Sequence, residues 1–257
     1  MQDIFRTRFI KRFARQALRG KWVRSILLML IYALIMNGPS FIVSYFTDST
    51  VVAYILSVYR IIIGGPLLMG LTTYYQDCFR GTDEPGLGSF GKGISFGIKA
   101  VQLYVFVFVI TFLGLVLFII PGVIAAIRYS QSFFILADDP SLPPVECMRR
   151  SRIMMTGLSG RFFSLEISFI GWIFLSAVPS SLVMSNMVDV YNITAPELFE
   201  EEIARASSAP PVVLLGLLTY FVFAYVLAAN ACFYDIISGN LKLYTEVPID
   251  GEAQRFY

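Results

Sequence analysis

The sequence predicts an all-α, polytopic membrane protein. About six transmembrane helices form three hairpins, basic amphipathic helices flank them, and both ends of the chain lie on the cytoplasmic side. Three observations carry this expectation. The 257 residues are 56% hydrophobic and 15% charged, with a mean hydropathy of +0.69. Soluble domains carry about 25% charge, so too few ionised side chains exist here to cover a water-facing surface. Apolar runs recur at the ~20 residues a helix needs to cross hydrocarbon, and they are continuous where β-barrel strands would alternate. Finally, Lys and Arg gather on alternate connections, as cytoplasmic flanks do.

Residues 1–21 read as a basic surface helix. Phe5, Phe9, Phe13 and Ala17 recur at one-turn spacing, and Arg12, Arg15, Arg19 and Lys21 stand among the basic residues around them. That pattern suits the headgroup layer over anionic lipid. Hairpin 1 covers 22–76, with spans at 22–46 and 51–75. Asn37-Gly38-Pro39 and Gly64-Gly65-Pro66 are expected to break these two helices. A cytoplasmic connection, 77–98, leads to hairpin 2 at 99–137, with spans at 99–120 and 121–137. Residues 138–161 form a second basic helix: Ser141 caps it, Pro143 and Pro144 fit its first turn, and Arg149, Arg150 and Arg152 supply its charge. Hairpin 3 covers 162–238, with spans at 162–187 and 212–234 around an acidic outer loop, 188–209. There Thr194 and Glu197 read as a capping box. Residues 239–257 are a cytoplasmic tail, and the whole is one integral membrane domain.

Of the 20 Lys and Arg, all but Arg60, Arg128 and Arg205 fall on the side of the N-terminus. The outer connections carry Asp48, Asp189, Glu197, Glu200, Glu201 and Glu202 instead. Cys78, Cys147 and Cys232 then lie near the cytoplasm, where thiols stay reduced. The first apolar run is too long for a cleaved signal peptide. Trp22 to Pro39, Tyr104 to Pro121 and Phe162 to Pro179 are equally spaced, at about 26 Å of helix. The returning spans end near Asp77, Asp138 and Asp235. Three related units are therefore expected, each a surface segment followed by a hairpin, with 86–98 as the middle surface segment.

Several motifs together resemble one bacterial family. They are Ala14-Arg15-Gln16-Ala17-Leu18-Arg19-Gly20-Lys21-Trp22; Ile119-Ile120-Pro121-Gly122; Tyr129-Ser130; Phe134-Ile135-Leu136-Ala137-Asp138-Asp139-Pro140; Arg150-Ser151-Arg152 with Met154-Met155; Ser168-Phe169-Ile170-Gly171-Trp172; and Phe233-Tyr234-Asp235. Over roughly residues 8 to 238 the chain resembles the integral-membrane family catalogued as domain-of-unknown-function family 975. The resemblance implies a multi-pass protein of the bacterial cytoplasmic membrane and brings no catalytic residues with it.

Chemistry is scarce. The chain has no histidine, which removes the commonest general base and metal ligand. No enzyme activity, metal or cofactor is expected. Gly86-Leu87-Gly88-Ser89-Phe90-Gly91-Lys92 has phosphate-loop spacing, but Gly93 stands where Ser or Thr is needed, and a span rather than a strand precedes it. Glu200-Glu201-Glu202-Ile203-Ala204-Arg205 fits a Glu-Glu-x-x-x-Arg protease signature whose histidines are missing. What remains is charge within spans. Arg60 and Arg128 would face a polar cavity between hairpins and take an anionic group such as a lipid phosphate, with Glu166 and Asn230 as the nearest polar companions. The alternative is that the two arginines reach the headgroups or cap carbonyls. The leading expectation is transport or binding of an anionic lipid or amphiphile. The other is a non-catalytic structural or regulatory subunit that docks a partner protein. The expected partners are the bilayer and anionic inner-leaflet lipids, with a protein partner or second copy left open and no nucleic acid.

Overall fold

The computed structural model describes residues 7–44, 46–47, 50–80, 86–194 and 210–240, of which 41, 44, 87, 177–194 and 210–217 are described as backbone only. In chain order the helices are α1 (Thr7–Ala17), α2 (Trp22–Ser44), α3 (Thr50–Phe79), α4 (Leu87–Ser95), α5 (Ile98–Leu117), α6 (Ile119–Tyr129), α7 (Ser132–Asp138), α8 (Pro144–Met154), α9 (Ser159–Thr194) and α10 (Pro210–Ile237). No strand occurs among the described residues. Five described stretches are long and apolar enough to cross a bilayer: Trp22–Ser40, Thr50–Phe79, Ile98–Leu117, Ile119–Asp138 and Leu218–Ile237. A sixth passes if α8 and the start of α9, bent by 95° at their junction, count as one span. The chain divides into two compact units, Met1–Phe163 with Leu227–Tyr257, and Ser164–Val226. In the second unit the rings of Phe169 and Tyr225 meet edge to face at 5.1 Å.

In the first unit α3 is central: α2, α4, α5 and α7 all pack on it. Glycine makes this possible. A Cβ at Gly65 would stand 2.5 Å from the Ala100 carbonyl oxygen, and one at Gly93 would collide with the backbone of Gly70. The glycine-rich stretch after residue 86 is therefore a packing helix, with no phosphate loop in it. A single extended residue, Phe118, separates α5 from α6, and Gly114 lies against Gly122 across the turn.

Several expectations change. Neither proline breaks its helix: Pro39 lies within α2 and Pro66 within α3. A proline leaves the carbonyl four residues earlier without its N–H; for Pro39 that is Ile35, whose oxygen accepts from the Tyr59 hydroxyl at 2.8 Å. The break falls instead between α6 and α7, splitting the fourth span. Pro143, not Ser141, precedes α8; Ser141 donates to Asp139 at 2.5 Å through its hydroxyl. Thr194 ends α9 rather than opening a helix, so that helix extends into the expected loop 188–209. Glu197, Glu200, Glu201, Glu202 and Arg205 lie outside the described residues.

The N-terminal helix also differs in what covers its apolar face. Ile10, Phe13 and Ala14 are buried, and Phe13 stacks on Phe79 of α3 at 6.2 Å. Protein, not lipid, takes that face. Arg8, Arg12 and Arg15 are exposed and fall within about 60° of one another around the axis, and Arg19, in the turn after α1, is exposed as well.

Candidate functional site

The C-terminal ends of three helices converge on Arg80, the first residue after α3. Its guanidinium donates to Asp138, the last residue of α7, through Nη1 at 2.5 Å and Nη2 at 3.1 Å. It also donates to Asp235 of α10 through Nη2 at 2.9 Å and Nε at 3.3 Å. Tyr234 donates its hydroxyl to Asp138 at 2.6 Å, and Gln76 donates Nε2 to the same carboxylate at 3.3 Å. The rings of Phe134 and Tyr234 stack at 5.3 Å beside this clasp. The Asp235 side chain is 1% exposed and that of Arg80 25%. Buried carboxylates persist only when paired and hydrogen-bonded, and one guanidinium with a planar fork of five donors meets both.

Beside the clasp opens a cleft of about 610 Å³. Thr73, Gln76, Asp77 and Arg80 line one wall, Lys92, Ser95 and Phe96 another, and Ile98, Lys99, Ala137 and Pro140 the rest. Three basic side chains thus reach it from three segments, opposed among the lining residues by Asp77 alone. Lys99 is fixed by donating Nζ to the Pro140 carbonyl at 2.6 Å. Thr73 ties α3 to α4 by donating to the Ser89 carbonyl at 2.8 Å. The first turn of α5, which has no side-chain cap, adds the positive end of a helix dipole. A second, apolar cavity of about 310 Å³ lies among Leu68, Tyr104, Phe108, Phe112 and their neighbours.

The residues singled out from sequence fall elsewhere. Neither Arg60 nor Arg128 lines either cavity. Arg60 is exposed and donates to Ser40 Oγ at 3.0 Å. It stands 20 residues, about 30 Å of helix, from Arg80 along the unbroken α3. Arg128 is exposed, and its carbonyl accepts from Ser151 Oγ of α8 at 2.7 Å, which places it against a basic helix. Asn230 lies in the first unit, where its Oδ1 is buried and accepts no hydrogen bond among the described residues. Glu166 belongs to the second unit.

The surface set is mixed. Arg12, Arg15, Arg19 and Arg152 are exposed. Lys21 donates Nζ to the Cys78 carbonyl at 3.3 Å and so caps the end of α3. Arg149 and Arg150 both pair with Glu146, at 2.6 and 3.1 Å. Sequence reasoning missed the clasp, although Asp138 and Asp235 had stood out as acids ending returning spans. The missing signal was the partner: Arg80 had counted only as one more cytoplasmic cation. Among the described residues no group of acids and cysteines is disposed to hold a metal.

None of the curated proteins and none of the solved structures matches the chain. One family model does, over residues 94–207, from the end of α4 through α9. The motifs at 14–22 and 233–235 lie outside that match. The family is described as a protein of unknown function (DUF975), and residues 94–207 are similar to it.

Proposed function

We propose that the protein is a non-catalytic component of a bacterial cytoplasmic membrane that binds the charged head of an anionic amphiphile, in the cleft at the basic end of its helices rather than midway along them. The observation that carries this reading is the convergence of Arg80, Lys92 and Lys99 on one cleft. The volume falls in the range of small-molecule sites. Ile98, the apolar residue that opens α5 at the rim, is 74% exposed, so a head held here can leave its tail in the bilayer. Phosphate is the best-matched head, since ammonium and guanidinium groups bind its oxygens by charge-assisted hydrogen bonds.

The test is lipid retention by the purified chain in nanodiscs containing phosphatidic acid, with soluble glycerol phosphate as competitor. Replacing both lysines (Lys92→Gln with Lys99→Gln) is expected to weaken retention about tenfold or more, the loss of one or more charge-assisted contacts. Unchanged retention by a folded double variant would defeat the reading. Equal binding of glycerol phosphate and lipid would make the ligand a free anion rather than an amphiphile.

A second reading, a subunit that docks another protein, is favoured by the outward arginine row of α1. A stoichiometric acidic partner recovered in mild detergent would support it, and a partner retained after Arg8, Arg12 and Arg15 are replaced by Gln would not.

A further inference from the structure

We propose that Arg80 couples occupancy of the cleft to the last helix: an anionic head entering the cleft competes with Asp138 and Asp235 for the guanidinium and so loosens α10 at its basic end. This rests on the cleft reading and adds regulation to it. Arg80 belongs to both structures, lining the cleft while it donates four bonds to two carboxylates. A guanidinium has five N–H groups, so one is left for the cleft. Phosphate oxygens offer the same bidentate match as a carboxylate, so an arriving head and the two aspartates compete on equal chemical terms.

The two carboxylates are unequally placed to lose Arg80. The Asp138 side chain is 24% exposed, so water can take the place of the guanidinium when it swings toward the cleft. Asp235 is almost wholly buried, and a buried carboxylate that loses counter-charge destabilises the packing around it. The element that responds is therefore α10. One turn before Asp235 stands Cys232, which is fully buried and so shielded from reagents while the clasp is closed. It is a native reporter of opening.

The experiment uses the full chain in nanodiscs of phosphatidylcholine with or without phosphatidic acid. Maleimide labelling of Cys232 is read by peptide mass spectrometry, and lipid retention is measured on the same samples. Phosphatidic acid is expected to raise the labelling rate on the order of tenfold, the factor that follows from losing one charge-assisted hydrogen bond. Cys147, buried in α8, stays constant as the internal control. The double variant Lys92→Gln with Lys99→Gln is expected to lose retention and the labelling response together. Asp235→Asn removes the buried charge and is expected to flatten the response; a full response in this variant overturns the coupling. In the unaltered chain, retention of phosphatidic acid with no change at Cys232 overturns the coupling and leaves the cleft reading standing. No retention overturns both.

Discussion

Along α3 the stretch from Thr50 to Ile63 and the stretch from Gly64 to Phe79 are both apolar, yet they meet different surroundings. In the first, Tyr54 is 71% exposed and Ile55 61%; in the second, Leu67, Leu71, Tyr74 and Phe79 are each under 5%. Hydropathy treats the two alike because lipid tails are as apolar as a protein core. What separates them is the ability to let other backbones come close. Gly64, Gly65 and Gly70 supply that ability in the second half, and Thr73 and Gln76 reach out from it to the Ser89 carbonyl and to Asp138. Packing and hydrogen bonding therefore concentrate at the basic end, and the other half is left to the bilayer.

Substitutions along this axis sharpen or break that contrast. The largest effect is expected at Arg80→Ala. Breaking a buried pair costs about 3 kcal/mol at the low end of its range, which for a chain of this size lowers the melting temperature in detergent by roughly 5–10 °C. No shift would mean that the clasp is not where the fold is held. Next, Gly65→Val forces a side chain against the Ala100 carbonyl and is expected to cost about 2 kcal/mol by overpacking, seen as a melting shift roughly two-thirds that size. Tyr59→Phe, which removes the donor to the carbonyl freed by Pro39, is expected to cost about 1 kcal/mol; a neutral result would show that this carbonyl finds another partner. Ile55→Ala, on the exposed half, should stay within about 0.5 kcal/mol, and a larger loss would mean that protein covers this face.

The smallest effect concerns α8. Arg149 and then Arg150 hold the Glu146 carboxyl down to about 2, against an ordinary 4.5. Since the folded value lies below the unfolded one, the stabilisation is present above about 4.5 and is lost as pH falls through about 2. Glu146 is partly exposed and both arginines are exposed, so the pairs are screened by salt. A carboxyl NMR titration with its midpoint near 4.5 would show that these pairs do not persist in solution.

The all-helical, membrane-like class and the number of long apolar helices were legible because they follow from composition and periodicity, which act residue by residue. The helix breaks were misplaced because proline's cost depends on whether a neighbour repairs the freed carbonyl, and Tyr59 is remote from Ile35 in sequence. Arg60 was expected to face a cavity, but it donates to Ser40 on an exposed face and lines neither cavity. The cleft was illegible for a related reason. Its cations, Arg80, Lys92 and Lys99, are each ordinary members of a cytoplasmic flank, and only the glycine contacts between α3, α4 and α5 bring them onto one concavity.

The clasp also has a consequence for biogenesis. Arg80 and Asp235 are separated by 155 positions, so the arginine emerges from the ribosome on the order of 10–30 s before its most deeply buried counter-ion, at ordinary elongation rates. Until the final helix is inserted, Arg80 must be shielded by water, lipid phosphate or the insertion machinery. A chain that terminates before α10 would expose an unsatisfied cation at the membrane surface, a feature that quality-control proteases could read as the mark of an unfinished protein.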